Sequence, residues 1–503
     1  MSYSFLIADD IHLHARNFKP LFRYMEERDV EVLVHETHGD LKKRAGDYRG
    51  AVELAAYRER LERLDADALW NYSHAFGPTP IRVFPLCRAE ILSYALASQD
   101  HWHDHPVPAL ERPVFDRLHA QSHNLLLDGM AAACFWIDEW REVFARKVPP
   151  FSHVFVFSGS FTYGRVLLEL ASYHRTRAFV LESSLTGHEF YCEERYTPIA
   201  NRSDIRHPTV RASYHLPADP TDRLRAESRA LHRLFERENK NVRQPEGADL
   251  PRFPDSSRPT LLVIGQVVND YSIIEQHGGW LSSIAFYRQL IQRALQQTNY
   301  NVIFKGHPWE QKKTHVRRPL TKERLEAFRK SLPPEFAERF AIRNEDNLFL
   351  LGRAADRVAL LSSQAGIELA FFCGHRPSIF GSAFYGGAGF TDDYTDLERF
   401  FDDVGRGRER AFLDLESYDA LLRFLTRYLD MHLVSNRGQV GFHQLAKKIE
   451  AREIGQARPP GRRGERRGSL SERTLRKLRK LGRDPQAFFR DARLVRTLNE
   501  KLR

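Results

Sequence analysis

Cysteine is scarce and scattered in this chain: four in 503 residues, Cys87, Cys134, Cys192 and Cys373, with no CxxC pair among them. Such spacing excludes a disulfide framework and a cysteine-rich zinc site, and it suits reduced thiols in a core. Long apolar runs are missing as well. No stretch reaches the ~18 apolar residues that a membrane span needs, and the opening MSYSFLIADD has no basic segment ahead of a hydrophobic one. The sequence therefore predicts neither a spanning helix nor a secretory leader, and a cytoplasmic location. Excess positive charge is absent from nearly all of the chain. Residues 456–503 hold 16 Lys and Arg against 5 Asp and Glu, an excess of 11, whereas the whole chain carries a net +10. With charge confined to the tail and no recognisable RNA- or DNA-binding motif, nucleic acid is excluded as the expected partner.

The tail opens with ARPPGRRGERRGS, too rich in Pro, Gly and Arg to pack. It continues as LSERTLRKLRKLGRDPQAFF, where Leu475, Leu478 and Leu481 recur at helical spacing among Arg476, Lys477, Arg479 and Lys480. This reads as a linker and a basic amphipathic helix. Such a helix lies on an anionic membrane surface, docks on its own protein, or stays as a solvated arm; the first alternative would make the protein peripheral on the inner face of the plasma membrane.

What is present is alternation. Short apolar runs at 3–9, 30–35, 81–86, 153–159 and 177–183 are interleaved with helical patterns such as YGRVLLELASYH. Around 239–259 periodicity gives way to Pro, Gly and charge, and a second series follows, with strands at 260–267, 300–306, 357–363 and 376–381 and helices near 282–297, 321–330 and 365–373. The predicted fold is α/β, with two Rossmann-like domains (1–240 and 258–450) facing a cleft and the basic helical tail 456–503 appended. That architecture is common among nucleotide-sugar glycosyltransferases, although fold alone does not assign function.

Ligands of open α/β sheets bind at the carboxyl ends of strands. In VIGQVVNDYSII an apolar strand hands over to Asn269 and Asp270, which puts a carboxylate at such an end; capping of the next turn is the plainer role for Asp270. In FKGHPWE, Pro308 stops a strand and leaves His307 at its end, with Lys305 nearby as a second phosphate-binding group. In LLSSQAGIELAFFCG a strand ends at Ser362 and Ser363 and a helix starts, offering free N–H groups to a phosphate, or plain serine caps. GSAFYGGAGFTDDY is a glycine-dense turn carrying Phe384 and Tyr385.

In this order GQVVNDYSI, KGHP, SSQAGIELAFFCGHRP and GSAFYGGAGFTDD resemble the motifs of the capsule polysaccharide synthesis proteins, in particular the retaining β-Kdo transferases that use CMP-Kdo. The resemblance covers 260–394 and, more weakly, VLESSLTGHEFYCEERYTPIANRS at 180–203. It implies a GT-B type glycosyltransferase of surface-polysaccharide synthesis. The partners it implies are a CMP-activated acidic sugar as donor and a polysaccharide or glycolipid acceptor, with no cofactor or metal required. It also implies the site. Asp270 is the nucleophile at the anomeric carbon, Glu182 the acid/base or acceptor contact, and His307 a catalytic and donor-binding group. Gln266, Lys305, Pro308, Ser362, Ser363, Gly366, Glu368 and Tyr385 complete the donor site. Relatives often carry an acid where Asn269 stands, and in that case the nucleophile would be misassigned.

Two further groups stand outside these motifs. His101, His103 and His105 alternate, and on an extended segment they would share one side, as metal ligands do; a polar loop holds histidines equally well. His12 and His14 follow Asp9 and Asp10 at the end of the first strand, facing the acceptor side of the cleft or simply solvated. Other functions compatible with the sequence are a CDP-alditol phosphotransferase, a transferase using another nucleotide sugar, and a non-catalytic capsule assembly or export factor.

Overall fold

The computed structural model describes residues 3–75, 80–104, 109–237, 247, 250–276, 279–310, 318–407 and 411–451. In chain order its strands are β1 Ser4–Ile7, β2 Glu31–Val34, β3 Ser73–His74, β4 Ile81–Arg82, β5 His153–Phe157, β6 Arg177–Ser183, β7 Glu189–Glu194, β8 Thr260–Ile264, β9 Asn301–Lys305, β10 Phe340–Arg343, β11 Arg357–Leu360, β12 Ser378–Ile379, β13 Asp392–Asp393 and β14 Val434–Ser435. The first sheet has the order β14-β7-β6-β5-β1-β2, and its members from β2 to β6 are parallel. The second is parallel throughout, in the order β10-β9-β8-β11-β12-β13. Counted from β8, that is the 3-2-1-4-5-6 order of a nucleotide-binding Rossmann sheet. These two sheets are the α/β pair of GT-B type expected from the alternating pattern. The chain returns to the first sheet at its far end, where β14 pairs antiparallel with β7.

Burial follows from position in the sheet. Central β1, flanked by β2 and β5, is buried at all four positions, whereas edge strand β2 alternates between exposed and half-buried ones. Crossover helices cover the faces: Thr162–His174 between β5 and β6, Ser283–Gln297 between β8 and β9, and Ala365–Cys373 between β11 and β12. Two apolar helices, Phe84–Ser98 and His123–Ala145, fill the core of the first half with side chains such as Ile91, Trp136 and Trp140.

The 81–86 strand is a correction. Only Ile81–Arg82 is extended, in a two-residue pairing with Ser73–His74, and the helix begins at Phe84 with Pro85 in its first turn. Proline lacks an N–H but needs none there, so an apolar run containing it suits a helix start as well as a strand end. The strands expected at 260–267 and 357–363 stop earlier, at Ile264 and Leu360. Their last residues form the loops of the site.

Candidate functional site

The strand order of the second sheet reverses between β8 and β11, and the loops leaving the carboxyl ends of those strands meet there. Gly265 makes the close approach possible, since a Cβ on it would stand 2.7 Å from the Phe304 ring and 3.0 Å from the Lys305 carbonyl. Gln266 then ties the loops together. Its Oε1 accepts from Ser362 N–H at 2.7 Å, and its Nε2 donates to Ser272 Oγ at 3.1 Å and Ser362 Oγ at 3.3 Å. Asp270 follows, with Oδ1 accepting from Ser272 N–H at 2.9 Å as cap of the short helix Tyr271–Ile274, and Oδ2 reached by Gln266 Nε2 at 3.4 Å. The capping role is therefore real. It is also what orients the carboxylate. Asn269 turns the other way, into the first half, where its Nδ2 donates to Ser93 Oγ at 3.3 Å.

A cavity of about 570 Å³ lies between the two sheets, and Asp270, Glu182, Lys305, His307, Pro308, Ser362, Ser363 and Glu368 all line it. Three carboxylates line its wall, Glu182, Asp270 and Glu368. Glu182, at the end of β6, has an Oε2 shut off from water with no hydrogen-bond partner; burial first, then the charge of Asp270, pushes its carboxyl up to about 8. A neutral acid at neutral pH is the form such a site tolerates. Burial also raises the carboxyl of Glu368, against the pull of Arg237, whose Nε sits 2.8 Å from Glu368 Oε1. Arg237 is itself clasped by Phe372 and Phe349, at 4.2 and 5.1 Å from their ring centres. Asp270 has no ion-pair partner among the described residues; its carboxylate accepts from Ser272 N–H and Gln266 Nε2.

The same cavity is lined by groups suited to an anion such as a phosphate. His307 Nδ1 accepts from Trp309 N–H at 3.2 Å, so a neutral ring carries its proton on Nε2. The helix Ala365–Cys373 opens on the cavity through Gln364 and Ala365, beside Ser363. Lys305 is placed differently from expectation. Its Nζ donates to the carbonyls of Asn344 at 2.7 Å and Gly306 at 3.1 Å, and burial lowers its pKa to about 8, so it braces two loops as well as bordering the cavity. Ser362 is wholly buried and its hydroxyl is taken up by Gln266 and Ser272.

Gly366 and Tyr385 stand behind the wall. The Tyr385 hydroxyl donates to the Ser363 carbonyl, and a Cβ on Gly366 would fall 2.3 Å from that hydroxyl. Gly366→Ala is expected to destabilise the protein by ~1–3 kcal/mol through overpacking. The cost shrinks in a Tyr385→Phe background, a coupling that a double-mutant cycle of chemical denaturation would read; equal cost in both backgrounds would refute the clash.

With this geometry in view, comparison with known proteins bears on less than half of the chain. Residues 207–425 match the capsule polysaccharide biosynthesis protein family. The capsule-synthesis match takes in all four motifs between 260 and 394, and their resemblance to capsule polysaccharide synthesis proteins is borne out at the level of that family; 180–203, with Glu182, lies outside it. Among solved structures, KpsC of Thermosulfurimonas dismutans, a beta Kdo 2,4 transferase, is 19% identical, with 60% of this chain and 88% of that one covered and a TM-score of 0.38. The glycosyltransferase SnogD from Streptomyces nogalater is 12% identical over 86% of this chain and 96% of its own, with a TM-score of 0.23. No curated protein matches.

Outside the capsule-synthesis motifs, the histidine expectations change. Asp100–His103 is a 3-10 turn, not an extended segment, and both ring nitrogens of His103 are occupied, Nδ1 by Ser282 Oγ and Nε2 by the Leu96 carbonyl, each at 2.8 Å. His103 thus fastens the two halves together. His105 lies outside the described residues, as does the tail 456–503 with its leucines; among the described residues no helix is long and apolar enough to cross a membrane. His12 is not a freely solvated loop residue, because its ring packs against those of Phe157 and Phe161.

Sequence reasoning missed the ties that hold the Asp270 loop to the first half. Arg88 donates to the Ile274 carbonyl at 2.9 Å, Arg165 pairs with Glu275, and Asn201 Nδ2 donates to the Ser362 carbonyl at 2.5 Å. None carries a local signal. Each is an ordinary polar residue until the fold brings its partner close.

Proposed function

We propose that this protein is a retaining glycosyltransferase of capsular or surface polysaccharide synthesis, which moves an acidic sugar, Kdo, from its CMP-activated donor to a glycan or lipid-linked acceptor. The observation that carries the reading is that one cavity is lined by the carboxylate of Asp270 together with His307 and a helix start able to take a phosphate. Breaking a CMP–sugar bond leaves positive charge at the anomeric carbon and negative charge on the phosphate, and this cavity has a group for each. In the first step Asp270 Oδ bonds to the anomeric carbon as the bond to the phosphate oxygen breaks, and CMP leaves with the electron pair. Neutral Glu182 is able to donate a hydrogen bond to the sugar or to the departing group. In the second step the acceptor oxygen bonds to the same carbon, the Asp270 ester breaks, and the configuration is retained. Glu368 borders the nucleotide end in this reading. The basic tail 456–503 holds the enzyme on an anionic membrane surface, at the cytoplasmic face where CMP-sugars are made.

The test is CMP release by the purified full chain from CMP-Kdo, set beside CMP-sialic acid, CDP-glycerol and a UDP-sugar. Release from CMP-Kdo and not from the others is expected. Release from CDP-glycerol would identify a CDP-alditol phosphotransferase instead. Release from none, with lipid-linked acceptor extract present, would leave the assembly-factor reading.

A further inference from the structure

The first sheet has a switch point of its own. Its order reverses between β1 and β5, and the loops after those strands carry Asp9 and His12 on one side and Phe157, Ser158 and Phe161 on the other. Phe157, Ser158 and Phe161 line the cavity described above, on the wall opposite the donor motifs. His12 packs beside two of them, its ring 4.8 Å from that of Phe157 and 5.1 Å from that of Phe161, with interplanar angles of 5° and 22°. Phe161 in turn touches Tyr271, the neighbour of Asp270, at 5.7 Å.

The edge of the imidazole is held as well. Asp9 is wholly buried; Oδ1 accepts from His12 N–H at 2.6 Å and stands 3.3 Å from His12 Nδ1, and Oδ2 accepts from the Tyr163 hydroxyl at 2.9 Å. The Tyr163 oxygen is 3.2 Å from Nδ1. Burial alone would raise the Asp9 carboxyl, but its hydrogen bonds and the charge of His12 outweigh burial and hold it below its ordinary value. An ionised carboxylate beside Nδ1 fixes the proton there and leaves the lone pair on Nε2. A buried carboxylate, a stacked ring and a fixed tautomer are more than a loop needs for its own stability.

We propose that His12, oriented by Asp9 and Tyr163, is the base that takes the proton of the acceptor hydroxyl. The proposal rests on the two-step transfer above and supplies the proton acceptor that neutral Glu182 does not. As the acceptor oxygen bonds to the anomeric carbon and the bond to Asp270 breaks, its proton passes to Nε2 and Asp270 leaves as carboxylate. The imidazolium so formed is stabilised by Asp9.

The experiment compares wild type with His12→Gln, His12→Ala and Asp9→Asn, using CMP-Kdo as donor and a β-Kdo alkyl glycoside as acceptor probe. Transfer by the His12 variants is expected to fall ~10²–10⁴-fold, with affinity for CMP by calorimetry within about threefold of wild type and partial rescue of His12→Ala by added imidazole. Should the His12 variants fold poorly, Asp9→Asn decides: at least about a tenfold loss of transfer at unchanged CMP affinity is expected. Wild-type transfer by either His12→Gln or Asp9→Asn overturns the proposal. So does a fall in CMP affinity that matches the fall in transfer, which would make His12 a support of the donor wall. If Asp270→Asn transfers normally while His12→Gln does not, the nucleophile assignment fails and the base assignment stands.

Discussion

Asp270→Asn is expected to abolish sugar transfer, by at least ~10³-fold in kcat, in a protein that melts close to wild type. The two halves of that expectation come from the two oxygens of one side chain. Oδ1 caps the helix Tyr271–Ile274 through Ser272 N–H. Asparagine caps equally well, so the loop should keep its shape. What the amide loses is the carboxylate's negative charge and its nucleophilic oxygen. Asp270→Ala confounds the two effects, because it also removes the cap at ~1 kcal/mol. Measured CMP release, together with mass spectrometry of peptides from wild type quenched during turnover, separates the cases. A sugar adduct on the peptide containing Asp270 supports the covalent step, and an Asp270→Asn enzyme that transfers at the wild-type rate eliminates it.

Raising the pH is expected to weaken the fold through Glu182, and Glu182→Gln should remove that weakness. In the unfolded chain its carboxyl ionises near the usual 4.5, whereas in the folded protein burial and Asp270 push it up to about 8. Between those values the folded state holds a proton that the unfolded state has lost. Stability from this group is therefore complete below about pH 4.5 and declines as the pH rises through 8, by up to ~1.4 kcal/mol for each unit of the window. Glutamine cannot ionise and keeps the shape of the neutral acid. Urea denaturation of wild type and Glu182→Gln at pH 6 and pH 8.5 would show the wild type losing stability relative to the variant at the higher pH. A constant difference between the two would refute a neutral Glu182. Deprotonation would also place a second anion beside Asp270, so the same rise in pH should slow transfer.

Much of the candidate site in the second half was legible in the sequence because its chemistry is local. A strand ends, and the next residues are Gln266 and Asp270, or His307, or Ser362 and Ser363; each motif carries its own strand, loop and functional group within about a dozen residues. The parallel α/β class was legible for the same reason, since crossover helices and buried strands write their periodicity directly into the chain. Where the reading went astray, the pattern was degenerate. IRVFPL is apolar enough for a strand, and its proline suits a helix start better.

The rest is long-range and was decided only in three dimensions. Glu182 is a neutral acid because β6 ends beside Asp270, 88 residues later in the chain, in a place with no water for Oε2. Tyr385 supports Ser363 from behind because Gly366 leaves it room, and Lys305 braces carbonyls that its own segment does not reveal. Asp9 and His12 look like polar loop residues until β1 and β5 are paired and Phe157 and Phe161 close over the ring. By itself, then, the sequence determined which groups stand at the ends of which strands, because backbone periodicity and turn chemistry act over a few residues. Tertiary structure alone decided which of those groups share a cavity, which are ionised and which are spent on structure, because desolvation and charge act between residues that only the fold brings together.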